Sequence, residues 1–364
     1  MEPNSDNKKE LRTGFTTGSC ATASSKAGIL AIINQRKIEN IDILLPRRSR
    51  LKIQINSCEF SEKNSKCSVI KDGGDDPDVT HGAEIFVDVE VTEKIGQIEI
   101  DGGEGVGRVT KPGLGLEIDS AAINPTPKKM ILENVREVAE EFLQKSGIKI
   151  TISVPKGKEL AKKTDNPRIG ILGGISILGT SGIVIPYSTA SFAAAIRQQI
   201  DVVSSMNDHS VVLTTGGRSE DFARKIIELP DHSFIQMGDF SGYTIKQCAK
   251  KELKMAYVAG FIGKLAKMAA GVKQTHVKGG KVDMKFLSEL AKDCNANSDT
   301  IKKILGANTA RNVQEIVFED NVNGFFDRIT KETYDQMRKH SEEKIPIEVI
   351  LFDFDGKILS RHKE

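Results

Sequence analysis

Residues 69–85 read VIKDGGDDPDVTHGAEI and gather side chains that could do chemistry. Asp72, Asp75, Asp76, Asp78 and His81 stand between two apolar, strand-like runs, with Glu84 starting the second. One reading is a site loop. The other is a surface turn, because aspartates bond their own backbone, Gly73-Gly74 allows conformations closed to other residues, and Pro77 holds Asp76 out of the helical region. Both remain open at this point. A calcium loop does not fit, since neither alternating acids nor a terminal bidentate glutamate is present.

Glycine marks the other candidate sites. Thr16, Thr17, Gly18 and Ser19 open a helical run, and free amides there would suit an anion or simply a well-capped helix start. Four later strand-like runs end in glycine, at Gly173-Gly174, Gly216-Gly217, Gly238 and Gly260. Open α/β sheets bind ligands at the carboxyl edge, where such turns gather, although glycines also merely end strands. The loop GGISILGTSGIVIPYS is too long for a dinucleotide turn. Gly173, Gly174, Ser176, Gly179, Thr180 and Ser181 in it would wrap an adenosine or phosphate-bearing ligand with backbone amides. Asp239, after Gly238, would bind a ribose hydroxyl or act as a helix cap or first-turn acid. Gly103, Gly105 and Gly107 lack the helix that a dinucleotide fingerprint requires, and read as a mobile or closely approached loop. DFDG near the end has too few residues after it for a phosphatase motif and reads as a hairpin turn.

Periodicity predicts the elements that hold these loops. Cys20, Ala23, Ala27, Leu30 and Ala31 recur at helical spacing and form a buried face of small residues. Strands follow at 41–45, 51–55, 68–70 and 84–91, then an amphipathic helix over 128–145 with Met130, Ile131, Val135, Val138 and Phe142 inward. From Lys149 the rhythm changes. Strand-like runs at 150–154, 169–172, 210–213, 233–236 and 255–261 alternate with helical ones at 157–163, 188–200, 219–229, 243–253 and 263–270. This predicts a doubly wound, Rossmann-like parallel sheet. The expected fold class is thus α/β and α+β: an α+β domain over 1–148 and a Rossmann-like domain with appended helices over 149–320. The terminal strands within 321–364 are expected to return to the first domain, because the apolar run 349–352 needs a partner sheet.

The chain has 364 residues, 38% of them apolar and 28% charged, as expected of a soluble globular protein of two domains. A net charge of +2 without a large basic block argues against nucleic acid and membrane surfaces as partners. The first ten residues are polar, read as disordered and hold no signal peptide. No run is long and apolar enough for a membrane span. Five scattered cysteines without metal spacing read as reduced thiols in a cytoplasmic protein.

Taken in order, LRTGFTTGSC, VIKDGGDDPDVTHGAEI, DGGEGVGRVTKPGLG, AINPTP, NPRIGILGGISILGTSGIVIPYS, GGRSE, GDFSGY and KVDMKFLSELA resemble the CbiD family. These are cobalt-precorrin-5B C-1 methyltransferases of anaerobic cobalamin biosynthesis. The resemblance covers roughly Leu11 to Ala291 plus the closing strands. Ser for Thr in the first motif and GTSG for GTTG each keep a hydroxyl.

The resemblance implies methyl transfer from S-adenosylmethionine to C-1 of a cobalt-bearing macrocycle, giving cobalt-precorrin-6A. Cobalt would arrive with the substrate, so no metal site is expected. His81 or a carboxylate of Asp75 or Asp76 would serve as general base. Arg12, Thr16, Thr17, Arg108 and Lys111 would hold the macrocycle's carboxylate arms. Gly173, Gly174, Ser176, Gly179, Thr180, Gly216, Gly217, Gly238 and Asp239 would hold the donor. A homo-oligomer is compatible with this reading. Two rivals stand beside it: a nucleotide-dependent enzyme, which would want a short GxGxxG turn, and a non-catalytic tetrapyrrole-binding protein, which would need no adenosyl site.

Overall fold

One-sided alternation of buried and exposed residues governs the first half of the chain. The computed structural model describes residues 11–272 and 281–364, and divides into two units, Met1–Ser188 and Thr189–Glu364. The expectation for the first ten residues lies outside the described ones. The first unit runs β1 (Gly14–Phe15), α1 (Thr17–Asn34), β2 (Asn40–Leu44), β3 (Arg50–Gln54), β4 (Ser57–Phe60), β5 (Asn64–Ile70), β6 (Glu84–Thr92), β7 (Ile98–Gly102) and β8 (Arg108–Val109). It continues with α2 (Pro125–Leu143), β9 (Gly147–Ser153), α3 (Gly157–Ala161), β10 (Ile171–Leu172) and β11 (Ile183–Val184).

Its main sheet has the order β4-β5-β6-β9-β7, antiparallel except for β7 with β9. Ile85, Val87 and Val89 of β6 and Ile148, Ile150 and Ile152 of β9 point into one core, shared with Ala23, Ala27 and Ile29 of α1 and Met130, Ile131 and Val135 of α2. The small residues of α1 let it lie buried along most of its length against the sheet and α2.

The second unit runs α4 (Thr189–Ser205), β12 (Ser210–Thr214), α5 (Gly217–Ala223), a 3-10 turn at Asp231–Ser233, β13 (Phe234–Gln236), α6 (Ser241–Lys250), β14 (Met255–Phe261) and α7 (Ile262–Ala269). Then come α8 (Met284–Asp293), α9 (Ser298–Leu305), α10 (Ala310–Glu319), α11 (Phe325–His340), β15 (Ile347–Phe352) and β16 (Ile358–Lys363). The sheet order is β13-β12-β14-β15-β16, parallel but for the last pair. Val211, Leu213, Val258, Val349 and Leu351 face one core, with residues of α4, α6, α7 and α11. Val212, Ala259, Ile350 and Phe352 face another, beneath Ala223 of α5. Among the described residues no helix is long and apolar enough to cross a membrane.

Three expectations are corrected. The strand at 150–154 does not open the second domain: as β9 it sits in the first unit's sheet, and the units meet at 188/189 instead of 148/149. Its Ile-x-Ile-x-Ile alternation suits a sheet with one covered face, whereas a doubly wound strand is apolar on both. The run at 169–172 is no part of the parallel sheet either, since Ile171 and Leu172 pair antiparallel with Val109 and Arg108. The closing strands do not return to the first unit. All six residues of β15 are buried, so it needs a position covered on both faces, and it finds one beside β14. DFDG is the expected hairpin turn: Asp353 Oδ1 accepts the amides of Asp355 at 2.9 Å and Lys357 at 2.7 Å.

Because β15 is fully enclosed, Ile350→Ala is expected to cost about 2–5 kcal/mol of stability. Chemical denaturation of the second unit's signal checks this. A cost near zero would mean that the strand is peripheral.

Candidate functional site

The acidic loop after β5 is a closed hydrogen-bond network. Asp72 pairs with the Arg12 guanidinium, and its Oδ1 accepts the Gly74 amide at 2.9 Å. Asp75 Oδ2 accepts the Arg12 amide at 2.7 Å, while its own amide donates to the Arg12 carbonyl at 2.9 Å. Asp76 Oδ1 accepts the Tyr187 amide at 2.8 Å. Asp78 Oδ1 accepts both the amide and the hydroxyl of Thr80, at 2.7 and 2.6 Å, and its Oδ2 pairs with Lys71, a lysine only 2% exposed. His81 Nδ1 accepts the Gly73 amide at 2.9 Å, which leaves the ring proton on Nε2. In this arrangement His81 presents a donor, and its lone pair is already used.

Electrostatics follow the bonding. The hydrogen bond from Arg12 holds the Asp72 carboxyl below the usual carboxylate range. Burial works to raise Asp78, but the Lys71 ammonium and the Thr80 donors outweigh it and hold it low. Close backbone approach completes the clasp. Gly74 has φ +66°, and a side chain there would run into the Arg12 carbonyl, just as one at Gly14 would run into Asp72 and Gly73.

The candidate anion site at the start of α1 is filled by the protein itself. Thr16 and Thr17 are 6% and 3% exposed. The Gly18 amide donates to the Leu178 carbonyl at 3.0 Å, Thr17 Oγ1 accepts the Leu178 amide at 2.9 Å, and Ser19 Oγ donates to the Gly182 carbonyl at 2.6 Å. Thr16 caps α1 through the Ser19 amide. Both threonines therefore clasp the 176–182 loop, and a macrocycle arm would have to displace these contacts.

The same holds for much of that loop. A Cβ at Gly174 would enter the Gly105 carbonyl, and one at Gly179, φ +141°, would enter the Thr16 side chain. Ser176 is buried, with Oγ 3.3 Å from Asn166 Oδ1. Gly173 (φ +82°) and Thr180 stay exposed. Arg108 forks onto Asp101 at 2.8 and 3.1 Å and donates to the Gly102 carbonyl at 2.6 Å. Lys111 Nζ donates to the Arg168 carbonyl at 3.0 Å. Gly103, Gly105 and Gly107 are indeed closely approached, by their own chain: Gly105 (φ +72°) lies under the Val154 carbonyl.

Of the nine candidate donor residues, Gly216, Gly217, Gly238 and Asp239 stand together at the carboxyl edge of the second unit's sheet. The other five belong to the first unit. β12 connects through α5 to β13 on one side, whereas the chain then crosses to β14 on the other, so the strand order reverses between β12 and β14. In open α/β sheets ligands bind at the carboxyl ends beside such a reversal. Gly216, in extended backbone at φ 162°, borders space: a Cβ there would meet nothing within 4 Å. Gly238 has φ +53° and lies against Phe192, whose ring stacks on Phe240 at 5.1 Å. Asp239 pairs with Lys264, and Lys267 close by is pushed below its ordinary pKa by burial and then by Lys264.

At the end of β14 Phe261 stacks on Phe354 at 5.4 Å, with Arg218 over Phe261. Residue spacing had not singled out Lys71, Arg218, Phe261 or Phe354. The signals that could find them are the motif GGRSE for Arg218 and a lone lysine beside four aspartates for Lys71. Among the described residues no cluster of ligating side chains could hold a metal ion.

The described residues form a mixed α/β protein whose second unit is built on a largely parallel sheet. The CbiD family profile matches residues 4–186 and the profile for the CbiD C-terminal domain residues 274–363, and the chain belongs to the CbiD family. It is 43% identical over 354 residues to the cobalt-precorrin-5B C(1)-methyltransferase of Priestia megaterium, covering 97% of this chain and 96% of that one. With the protein of the same name from Geobacillus kaustophilus it shares 47% over 323 residues, 88% and 87% of the two chains. The Thermus thermophilus protein of that name is 42% identical over 355 residues, covering 97% and 94%. A crystal structure of cobalamin biosynthesis protein (cbiD) from Archaeoglobus fulgidus aligns over 85% of each chain at 26% identity. Its TM-score of 0.38 is too low to speak for the fold.

The buried Lys71–Asp78 pair sets a test of the acidic loop. Asp78→Asn leaves a buried ammonium without its counter-charge, and is expected to cost about 3–5 kcal/mol at neutral pH. A carboxylate held below its ordinary pKa stabilises the fold above the ordinary carboxylate range. That contribution is lost as pH falls through the lowered value. Wild-type and variant stabilities should therefore converge in acid, as urea titrations from neutral pH downwards would show. A gap that persists unchanged into acid would assign the cost to something other than the ion pair.

Proposed function

We propose that this chain is a cobalt-precorrin-5B C(1)-methyltransferase, acting on a cobalt-corrinoid macrocycle in cobalamin biosynthesis. Near-full-length similarity to enzymes of that name carries the activity. The donor we propose is S-adenosylmethionine, and we read the second unit as a doubly wound, Rossmann-like domain that binds it in the β12/β14 crevice. Gly216 supports this placement, because its peptide borders open space that a ligand can enter closely. Gly217 and Gly238 line the same edge, and Asp239 offers a carboxylate for a ribose hydroxyl.

S-adenosylmethionine, when bound, supplies a methyl group on a cationic sulfur that leaves with the bonding pair, so the transfer needs alignment and no protein nucleophile. The protein's part is to orient donor and acceptor and to exclude water. Asp75, Asp76 and His81 retain a proposed place near the chemistry, but their bonding favours a scaffolding role. Each already satisfies a backbone amide, and His81 lacks a free lone pair. Arg12, Arg108 and Lys111 are paired within the protein, so a macrocycle arm would have to displace those partners.

Two measurements bear on this. Gly216→Val should fold with an unchanged melting temperature, since its backbone is extended and its surroundings empty. Its affinity for S-adenosylhomocysteine by calorimetry should fall roughly tenfold or more, the effect of a clash of about 1–3 kcal/mol. Wild-type affinity would place the donor elsewhere. His81→Ala should lower the melting temperature by several degrees through the lost Gly73 contact, about 1 kcal/mol. Turnover per folded molecule should stay near wild type. A loss beyond about a hundredfold would instead restore His81 as the general base.

A further inference from the structure

Arg218 has a different electrostatic situation from every other arginine of its unit. Residues 189–364 contain seven arginines. Arg197, Arg224, Arg311, Arg328, Arg338 and Arg361 each have a carboxylate within 4 Å. Arg218 has none among the described residues and is exposed, yet its guanidinium has defined contacts. Its guanidinium carbon lies 5.5 Å from the centre of the Phe261 ring, and Nη2 donates to the Phe354 carbonyl at 2.5 Å. Phe261 in turn stacks on Phe354 with only 8° between the planes. One face of the fork is thus seated on a ring and one nitrogen is anchored, which fixes the direction of its remaining N–H groups at little entropic cost.

Its position is equally specific. Arg218 follows Gly216-Gly217 directly at the end of β12, and Phe261 ends β14, so the fork stands at the reversal of strand order. A guanidinium matches a carboxylate bidentately, and an anchored one without an internal counter-charge is prepared for an external one. We infer that Arg218, seated on Phe261 beside Gly216-Gly217, is a binding residue for a ligand carboxylate at the β12/β14 crevice. The inference rests on the functional reading above, in which two ligands carry that group: the amino-acid part of the donor and the acid arms of the macrocycle.

The test uses the full chain, wild type beside Arg218→Gln and Arg218→Lys. Calorimetry measures S-adenosylhomocysteine, which has the carboxylate, and 5′-methylthioadenosine, which keeps the adenosine and sulfur without it. Kinetics give KM for the macrocycle. Loss of a charge-assisted pair is expected to weaken one carboxylate ligand roughly ten- to a hundredfold in Arg218→Gln, with partial recovery in Arg218→Lys. Weaker S-adenosylhomocysteine with unchanged 5′-methylthioadenosine assigns the donor's carboxylate. Unchanged nucleosides with a raised KM for the macrocycle assign an acid arm. Wild-type behaviour of both variants towards all three ligands overturns the inference. So does equal weakening of both nucleosides with a lowered melting temperature, which would reduce Arg218 to a packing residue. A wild-type chain that binds neither nucleoside overturns the donor reading itself, and the inference with it.

Discussion

The parallel pairing of β14 with β12 on one side and β15 on the other is the constraint from which the candidate donor site follows. That pairing aligns Thr214 with Ala259 and Phe261 with Phe352, so three strands end along one edge. Since β13 lies on the far side of β12, the connections from β12 and β14 leave in different directions. The open peptide at Gly216 and the Phe261–Phe354 stack both lie along that edge. β15 makes the arrangement possible by being buried on both faces, which only an interior strand can satisfy.

Glycine serves two opposite purposes in this chain. At Gly14, Gly74, Gly105 and Gly174 a side chain is excluded because another stretch of the protein's own backbone occupies its place. At Gly216 nothing occupies it. A composition of glycine-rich turns therefore says that something approaches closely, and leaves open whether that is a ligand or the chain itself. Cavity and clasp look alike in one dimension.

Charge is handled in the same spirit. Lys71 is enclosed and depends on Asp78, because an unpaired buried ammonium is costly. Arg12 is exposed and Arg108 half-buried, and Asp72 and Asp101 neutralise them. Four aspartates in one loop thus act as much for the loop's own architecture as for any ligand. The loop holds its shape because each carboxylate meets an amide, a hydroxyl or a cation. Such a network is stable only when all its members are satisfied.

What the residues alone determined is the local pattern and the kinship. The helix of small residues at α1, the alternation in β6, the strands at 210–213, 233–236 and 255–261 and the terminal Asp-Gly hairpin are all legible, because each is set by periodicity or turn chemistry within a few residues. Ordered motifs were enough to indicate the CbiD family. Tertiary structure alone decided the partners of β9, β10 and β15, since any apolar strand can pair with several others and long-range pairing leaves little local trace. It also decided that Thr16, Thr17 and Gly174 face their own protein whereas Gly216 faces open space. Backbone approach and the availability of a lone pair, as at His81, depend on atoms far apart in the chain, and for that reason no spacing of residues discloses them.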